Sequence, residues 1–272
     1  MPIARRLILG LLATGAITVS AGEYSLMVAP TADLTYRGEG KLLPDQEYVN
    51  RFAGNTAPLY RLEWRQAARD SGYWGIGLWH TGVFGGGTYG QETVSTISSG
   101  TYQTASLNVG FTNFFVTYHR PLAHSPVSAQ VHLSVVREIF KRKTFTVNGT
   151  SGGNLDDVNE ISAEGIGFGL EGRHGRRLYA RWQTAAHYYV QLFDAETDAS
   201  AGSIFQAEGG LGWRFTNHLA LEFGGVWQDW FILGQGNRRL HMEGTDGAII
   251  SYNRNQTRLG GFFLRVETRF DP

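Results

Sequence analysis

From residue 22 to the C-terminus the chain alternates apolar and polar side chains with a period of two, and no helical period of useful length competes with it. The final stretch, LGGFFLRVETRFDP, sets Phe262, Leu264, Val266 and Phe270 against Arg265, Glu267 and Arg269. APLYRLEWRQAAR sets Tyr60, Leu62 and Trp64 against Arg61, Glu63 and Arg65. In RLYARWQTAAHYYVQLF, Leu178, Ala180, Trp182, Tyr188, Val190 and Leu192 oppose Arg181, Gln183, His187 and Gln191. SAQVHLSVV and IFQAEGGLGWRF repeat the pattern, with Gln130, His132 and Ser134 on the polar face of one, and Gln206, Glu208 and Arg214 on that of the other. A sheet that pairs a greasy face with a charged one in segment after segment needs a second buried layer or lipid to cover the greasy face.

The connections favour lipid. Short ones (ARDSGY, RPLAHSPV, GRHGRR, FTNHL) alternate with long polar ones at 38–58, 85–101, 141–158, 194–203 and 233–256. The segments between them number about ten, starting near residues 25, 58, 73, 102, 127, 160, 177, 204, 219 and 257, with both termini on the short-turn side. An even strand number with short turns at one end and long loops at the other describes a closed, antiparallel, up-and-down transmembrane β-barrel, an all-β fold. Eight or twelve strands stay open, because TASLNVGFTNFFVTYHRPL changes parity between Leu107, Val109 and Phe111 and the later Val116 and Tyr118, which a bulge or a turn at Thr112–Asn113 would explain. YSLMVAPTADLTYR is weakly patterned, and Pro30 inside it suits a barrel strand only at a bulge.

The N-terminus agrees. Arg5 and Arg6 precede an apolar run from Leu7 to Val19, followed by small residues, with cleavage expected between Ala21 and Gly22. That run is too short to span a bilayer as a helix, so residues 1–21 are a secretory signal and 22–272 a single barrel domain, addressed to the bacterial outer membrane. Outward Trp64, Trp74, Trp182, Trp213, Phe215 and Phe270 fall near the short-turn end, as a girdle of interfacial rings would; Phe84, Tyr188, Trp227 and Phe231 supply a second near the other end.

On this pattern the chain resembles the bacterial outer-membrane β-barrel proteins over its whole mature length. The resemblance implies outer-membrane lipid as surroundings and reading of the C-terminal strand by the barrel assembly machinery, although Asp271 and Pro272 follow the terminal aromatic Phe270. It is a resemblance of architecture and names no functional family.

Chemistry is harder to read. There are no cysteines, so thiol catalysis and disulfides are out, and formal charge is zero, which gives no reason to expect nucleic acid. Lys41, Lys141 and Lys143 are the sole lysines among 24 basic residues. Arginine keeps its charge and pairs bidentately in confined places, so the bias suits an enclosed charged interior. The polar faces predict a lumen holding Asp33, Arg61, Glu63, Arg65, Arg69, Gln130, His132, Glu138, Glu171, Arg181, His187, Glu208, Arg214, Glu222, Arg265, Glu267 and Arg269. Mixed signs favour a polar plug over a pore lined by one sign of charge.

Three enzyme-like signals weigh less. GFGLEG has dinucleotide-fingerprint spacing but precedes a turn and another strand where that fingerprint needs a helix; Gly165, Gly167 and Gly169 instead leave room in a crowded lumen. HLSVVRE is similar to the His-x-Ser strand of outer-membrane lipid A deacylases, yet its alternation turns His132 and Ser134 inward, away from lipid. Omptin-like proteases resemble the chain in strand number and size and imply acidic and histidine residues at the rim, for which His187, Asp194, Asp229 and His241 are candidates without a recurring paired-Asp motif. The reading is therefore a non-enzymatic surface protein, structural or binding an extracellular ligand. A narrow channel for small solutes is the alternative, and a rim hydrolase acting on lipid or peptide the third. No cofactor and no metal site is expected.

Overall fold

The computed structural model describes residues 22–42, 46–54, 57–68, 72–81, 88–96, 102–147, 150–193, 199–239 and 249–270, with side chains placed for 22–35, 58–68, 72–81, 110–137, 164–189, 202–231 and 256–270. Twelve strand segments follow one another: β1 (Gly22–Leu42), β2 (Gln46–Gly54), β3 (Ala57–Ala67), β4 (Tyr73–Thr81), β5 (Thr88–Thr96), β6 (Tyr102–Pro121), β7 (Val127–Val147), β8 (Thr150–Gly175), β9 (Leu178–Phe193), β10 (Ala199–Arg214), β11 (Leu219–Arg239) and β12 (Ile249–Phe270). All described pairings are antiparallel, and β1 pairs β12 from Gly22 opposite Phe270 to Leu42 opposite Ile250, which closes the sheet.

Twelve segments make ten staves. The lower part of β1 pairs β3, and β4 pairs β6; higher up, β1 pairs β2, β2 pairs β5 and β5 pairs β6. β2 and β3 are thus two parts of one descending stave, and β4 and β5 two parts of the next ascending one. Ten staves close with no open edge, which in lipid is what satisfies every backbone amide and carbonyl.

Three expectations are corrected. The long polar connections are largely strand: β7 runs to Val147, β8 starts at Thr150, and β11 and β12 pair up to Arg239 opposite Ile249. Polar alternation marks the membrane part of a strand alone; beyond lipid, pairing continues without any apolar face to signal it. Next, β6 is one continuous strand, with no turn at Thr112–Asn113 and with Phe111 buried inside. Phe111, Asn113, Phe115, Thr117 and His119 share the inward parity, while Val116 and Tyr118 take the outward one without any break between them. Finally, Asp33 is exposed on the outside, between buried Ala32 and Leu34. The register of β1 shifts between Ala29 and Ala32 against β3 and between Val28 and Asp33 against β12, placing Pro30 in the irregularity and reversing the parity above it.

The outer wall is apolar: Phe262 is 70% exposed and Leu211 66%, with Leu62, Leu133, Phe168 and Phe223 also exposed. An apolar surface this continuous is not stable in water. On β12 it extends from Phe270 to Phe262 and stops at Arg258, which pairs with Asp229 at 3.2 Å on the outside. Eight residue steps at about 3.4 Å, tilted by about 40°, span roughly 21 Å, close to the ~25 Å band of a membrane barrel.

Candidate functional site: the lumen

Two tiers of side chains fill the interior. The lower one, toward the short turns, is ionic and begins with β3, whose alternation sends Arg61, Glu63 and Arg65 inward at successive levels. Arg61 donates to Glu63 (2.8 Å), to Glu208 on β10 (2.7 Å) and, with both terminal nitrogens, to the Gln183 carbonyl oxygen on β9 (3.3 Å). Arg65 grips Glu63 on its own strand and Glu171 on β8, the latter through two bonds of 3.1 Å. Arg265 bridges Glu222 (2.8 Å) and Glu208 (2.7 Å). Arg181 binds Glu267, which also accepts from Arg173 at 2.9 Å. The Tyr73 hydroxyl closes on Glu171.

Glu63, Glu171, Glu208 and Glu267 each meet two arginines, Glu222 meets Arg265 alone, and β3 reaches across to β8, β9 and β10. Arg61, Glu63, Glu222 and Arg265 are each no more than 2% exposed. Arg61, Arg65, Arg173, Arg181 and Arg265 stand against Glu63, Glu171, Glu208, Glu222 and Glu267, a balance of five and five. Desolvating charges costs several kcal/mol per ion unless each finds close partners, and this geometry supplies them. Arg61 also lies over the Trp79 and Phe115 rings, 5.0 and 5.3 Å from their centroids, which joins the ionic tier to the one above.

The upper tier is apolar, and the sequence reading missed it. Met27, Leu34, Leu59, Trp79, Phe111, Val136, Ile204, Val226, Trp230, Leu259 and Phe263 are buried together inside the barrel. Phe111 on β6 meets Trp230 on β11 edge to face across the lumen, ring centroids 3.7 Å apart. In the sequence these residues look like lipid-facing ones, because a strand apolar on both faces carries no alternation.

Beside the ionic tier sit polar side chains of β6, β7 and β9. His132 and His187 have ring centroids 4.7 Å apart, Ser134 Oγ lies 3.3 Å from His187 Nδ1 and 3.1 Å from the Tyr189 hydroxyl, and His119 bonds Thr117 at 2.8 Å. Gln130 joins them to the ionic tier through His132, Gln183 and Glu171. The inward glycines of β8 make the space: a Cβ at Gly167 would lie 2.7 Å from the His187 ring, and one at Gly165 2.6 Å from that of Tyr189. Among the described residues no group of three or more histidines and carboxylates is placed to hold a metal ion.

Of the residues expected in the lumen, Arg61, Glu63, Arg65, Gln130, His132, Arg181, His187, Glu208, Glu222, Arg265 and Glu267 are buried inside. Arg269 is exposed at the mouth, where it reaches Glu23 at 3.5 Å, and Arg214 is half-buried there. The side chain of Glu138 and residue Arg69 lie outside the described residues. The structure corrects the placing of His187: it is deep in the lumen and not at a rim. Asp229 faces outward, bonded to Gln256 (2.9 Å) and Arg258, while Asp194 and His241 lie outside the described residues. Trp74, Trp182, Trp213, Phe215 and Phe270 are exposed on the outer wall, and Trp64 is half-buried against Gly22.

Members of the network that the sequence reading left out include Tyr73, His119, Gln183 and Tyr189. For His119 the signal existed, since Val116 and Tyr118 on the outward parity fix it inward. Below the ionic tier a cup of about 460 Å³ opens toward the short turns, lined by Arg65, Tyr73, Glu171, Arg173 and Arg269.

No protein-family model matches the chain, and no curated protein matches it. Among solved structures it is similar to the outer membrane protease OmpT from Escherichia coli, at 11% identity and a TM-score of 0.64, over 94% of this chain and 99% of that one. It is also similar to the transport unit of the autotransporter AIDA-I from Escherichia coli (8% identity, 98% and 97% of the two chains, TM-score 0.40) and to the translocator domain of autotransporter NalP from Neisseria meningitidis (11%, 98% and 95%, 0.35). The first likeness establishes the fold, a closed ten-stranded barrel of the outer-membrane kind, and nothing finer.

Proposed function

We propose that the protein is a closed, non-conducting outer-membrane barrel, delivered by a cleaved signal peptide at residues 1–21, whose lumen is a structural plug and whose role lies at its surface. The supporting observation is the cross-barrel ionic tier: Arg61 ties β3 to β10, and Arg65 ties β3 to β8. An ion path needs sites weak enough to leave. Among the described residues every buried arginine is held by carboxylates, and an apolar tier caps the column.

A non-enzymatic structural or ligand-binding role then belongs to the hairpins β1–β2, β7–β8 and β11–β12, whose strands continue past the apolar belt. The likeness to a protease brings no catalytic residue with it, and His187 is too deep to serve a rim site. Reconstitution into planar bilayers tests the reading. The expected trace is flat; stable unitary steps from the purified barrel would establish the narrow-channel alternative instead.

A further inference from the structure

The three short turns β6–β7, β8–β9 and β10–β11 are neighbours in the ring, since β6 to β11 are consecutive in the sheet. Hydrogen bonds stitch them together: Arg173 N donates to Pro126 O (3.3 Å), and Arg214 N donates to Arg177 O (2.8 Å). Their sequences, RPLAHSPV, GRHGRR and RFTNHL, hold Arg120, Arg173, Arg176, Arg177 and Arg214 with no Asp or Glu. Arg173 is committed to Glu267 in the lumen. Among the described residues, Arg120, Arg176, Arg177 and Arg214 form no ion pair. Arg214 turns into the lumen mouth beside Glu23 and Glu267, which leaves Arg120, Arg176 and Arg177 as the exposed basic side chains of this arc of the rim without an ion-pair partner among the described residues.

Its outer border is apolar. Leu122, Leu178, Trp213 and Phe215 are exposed directly beside these arginines, and Arg177 lies over the Trp213 ring, 5.3 Å from its centroid. An arginine laid on an outward indole at the edge of an apolar wall has its stem against acyl chains and its guanidinium at the headgroup level. A guanidinium fork matches phosphate oxygens in geometry as well as charge.

We infer that this arc is a binding surface for anionic phospholipid headgroups in the leaflet that the short turns face. The inference rests on the membrane reading above. A soluble acidic partner would not need the flanking apolar side chains, whereas a phospholipid uses both. The cup in the lumen is a poorer candidate, because Glu23 and Glu171 already answer its arginines.

The test uses the full-length barrel folded into vesicles of phosphatidylcholine containing phosphatidylglycerol, with spin-labelled versions of each lipid reporting association with the protein. Phosphatidylglycerol is expected to associate more strongly than phosphatidylcholine at low ionic strength, with a preference falling roughly fivefold when Arg177→Gln removes one headgroup-facing charge. The variant with Arg120, Arg176 and Arg177 all changed to Gln should show no preference, and the corresponding Lys variant should keep most of it. Heat-dependent gel mobility checks that each variant is folded. Equal association of the two lipids with the native barrel, or an unchanged preference in the Gln variant, overturns the inference while leaving the membrane reading standing. Failure to insert into either vesicle overturns both.

Discussion

The lower and upper tiers of the lumen solve the same packing problem with opposite chemistry. Below, arginines and carboxylates fill the barrel with directional bonds, most of which depend on a partner from another strand. Above, Trp79, Phe111, Trp230 and Phe263 fill it by shape and dispersion alone. The lower tier therefore holds particular strands at particular distances but is intolerant of losing a member, while the upper tier is insensitive to charge and tolerant of small changes in volume. On the reading proposed above, the two tiers stacked together would close the interior to ions twice, by pairing the charges in one place and by excluding water in the other.

Breaking one partner in the lower tier should give the largest effect. Arg61→Ala strands Glu63 and Glu208 without their shared guanidinium and is expected to cost about 3–5 kcal/mol, read as a lowered urea midpoint of the detergent-folded barrel. The upper tier should respond far less to a comparable trim of its own kind. Ile204→Val removes one methylene from a well-packed apolar site and should cost about 0.5–1.5 kcal/mol in the same assay. A smaller change is expected when a pair is removed together and replaced by apolar side chains of similar size. Arg265→Met with Glu222→Leu extends the upper tier downward, and its stability should fall within about 1 kcal/mol of the parent, because the desolvation cost of both charges leaves with them while Glu208, which loses Arg265, keeps Arg61. If that double variant were as unstable as Arg61→Ala, the two tiers would not be interchangeable solutions and the ionic one would carry a role beyond filling space.

What could be read in advance varied along the chain. The outward and inward parities of β3, β9 and β12 were plain from Arg61–Glu63–Arg65, Arg181–Gln183 and Arg265–Glu267, since charged side chains cannot face lipid without a large penalty. On β6 the same logic failed at Phe111, because Phe111, Phe114 and Phe115 put apolar rings on both faces and leave the parity to be set by the neighbours in the sheet. On β1 the irregularity around Pro30 reversed the parity of Asp33, and the weak pattern there had signalled trouble without saying which way it would resolve. The long polar connections read as loops because a hairpin that leaves the membrane has water on both faces and loses the alternation that marks a strand.

The sequence by itself determined that the chain closes into a barrel with polar side chains inside, because period-two alternation ties each residue to one of two media, and the media differ by kcal/mol per side chain. Which carboxylate each arginine holds was decided by the tertiary structure, since Arg61 meets Glu208 only when the curvature of ten staves brings β3 opposite β10. The same curvature produced the apolar cap: once the wall closes, inward Trp230 and Phe111 find each other across a space that no local pattern in either strand describes.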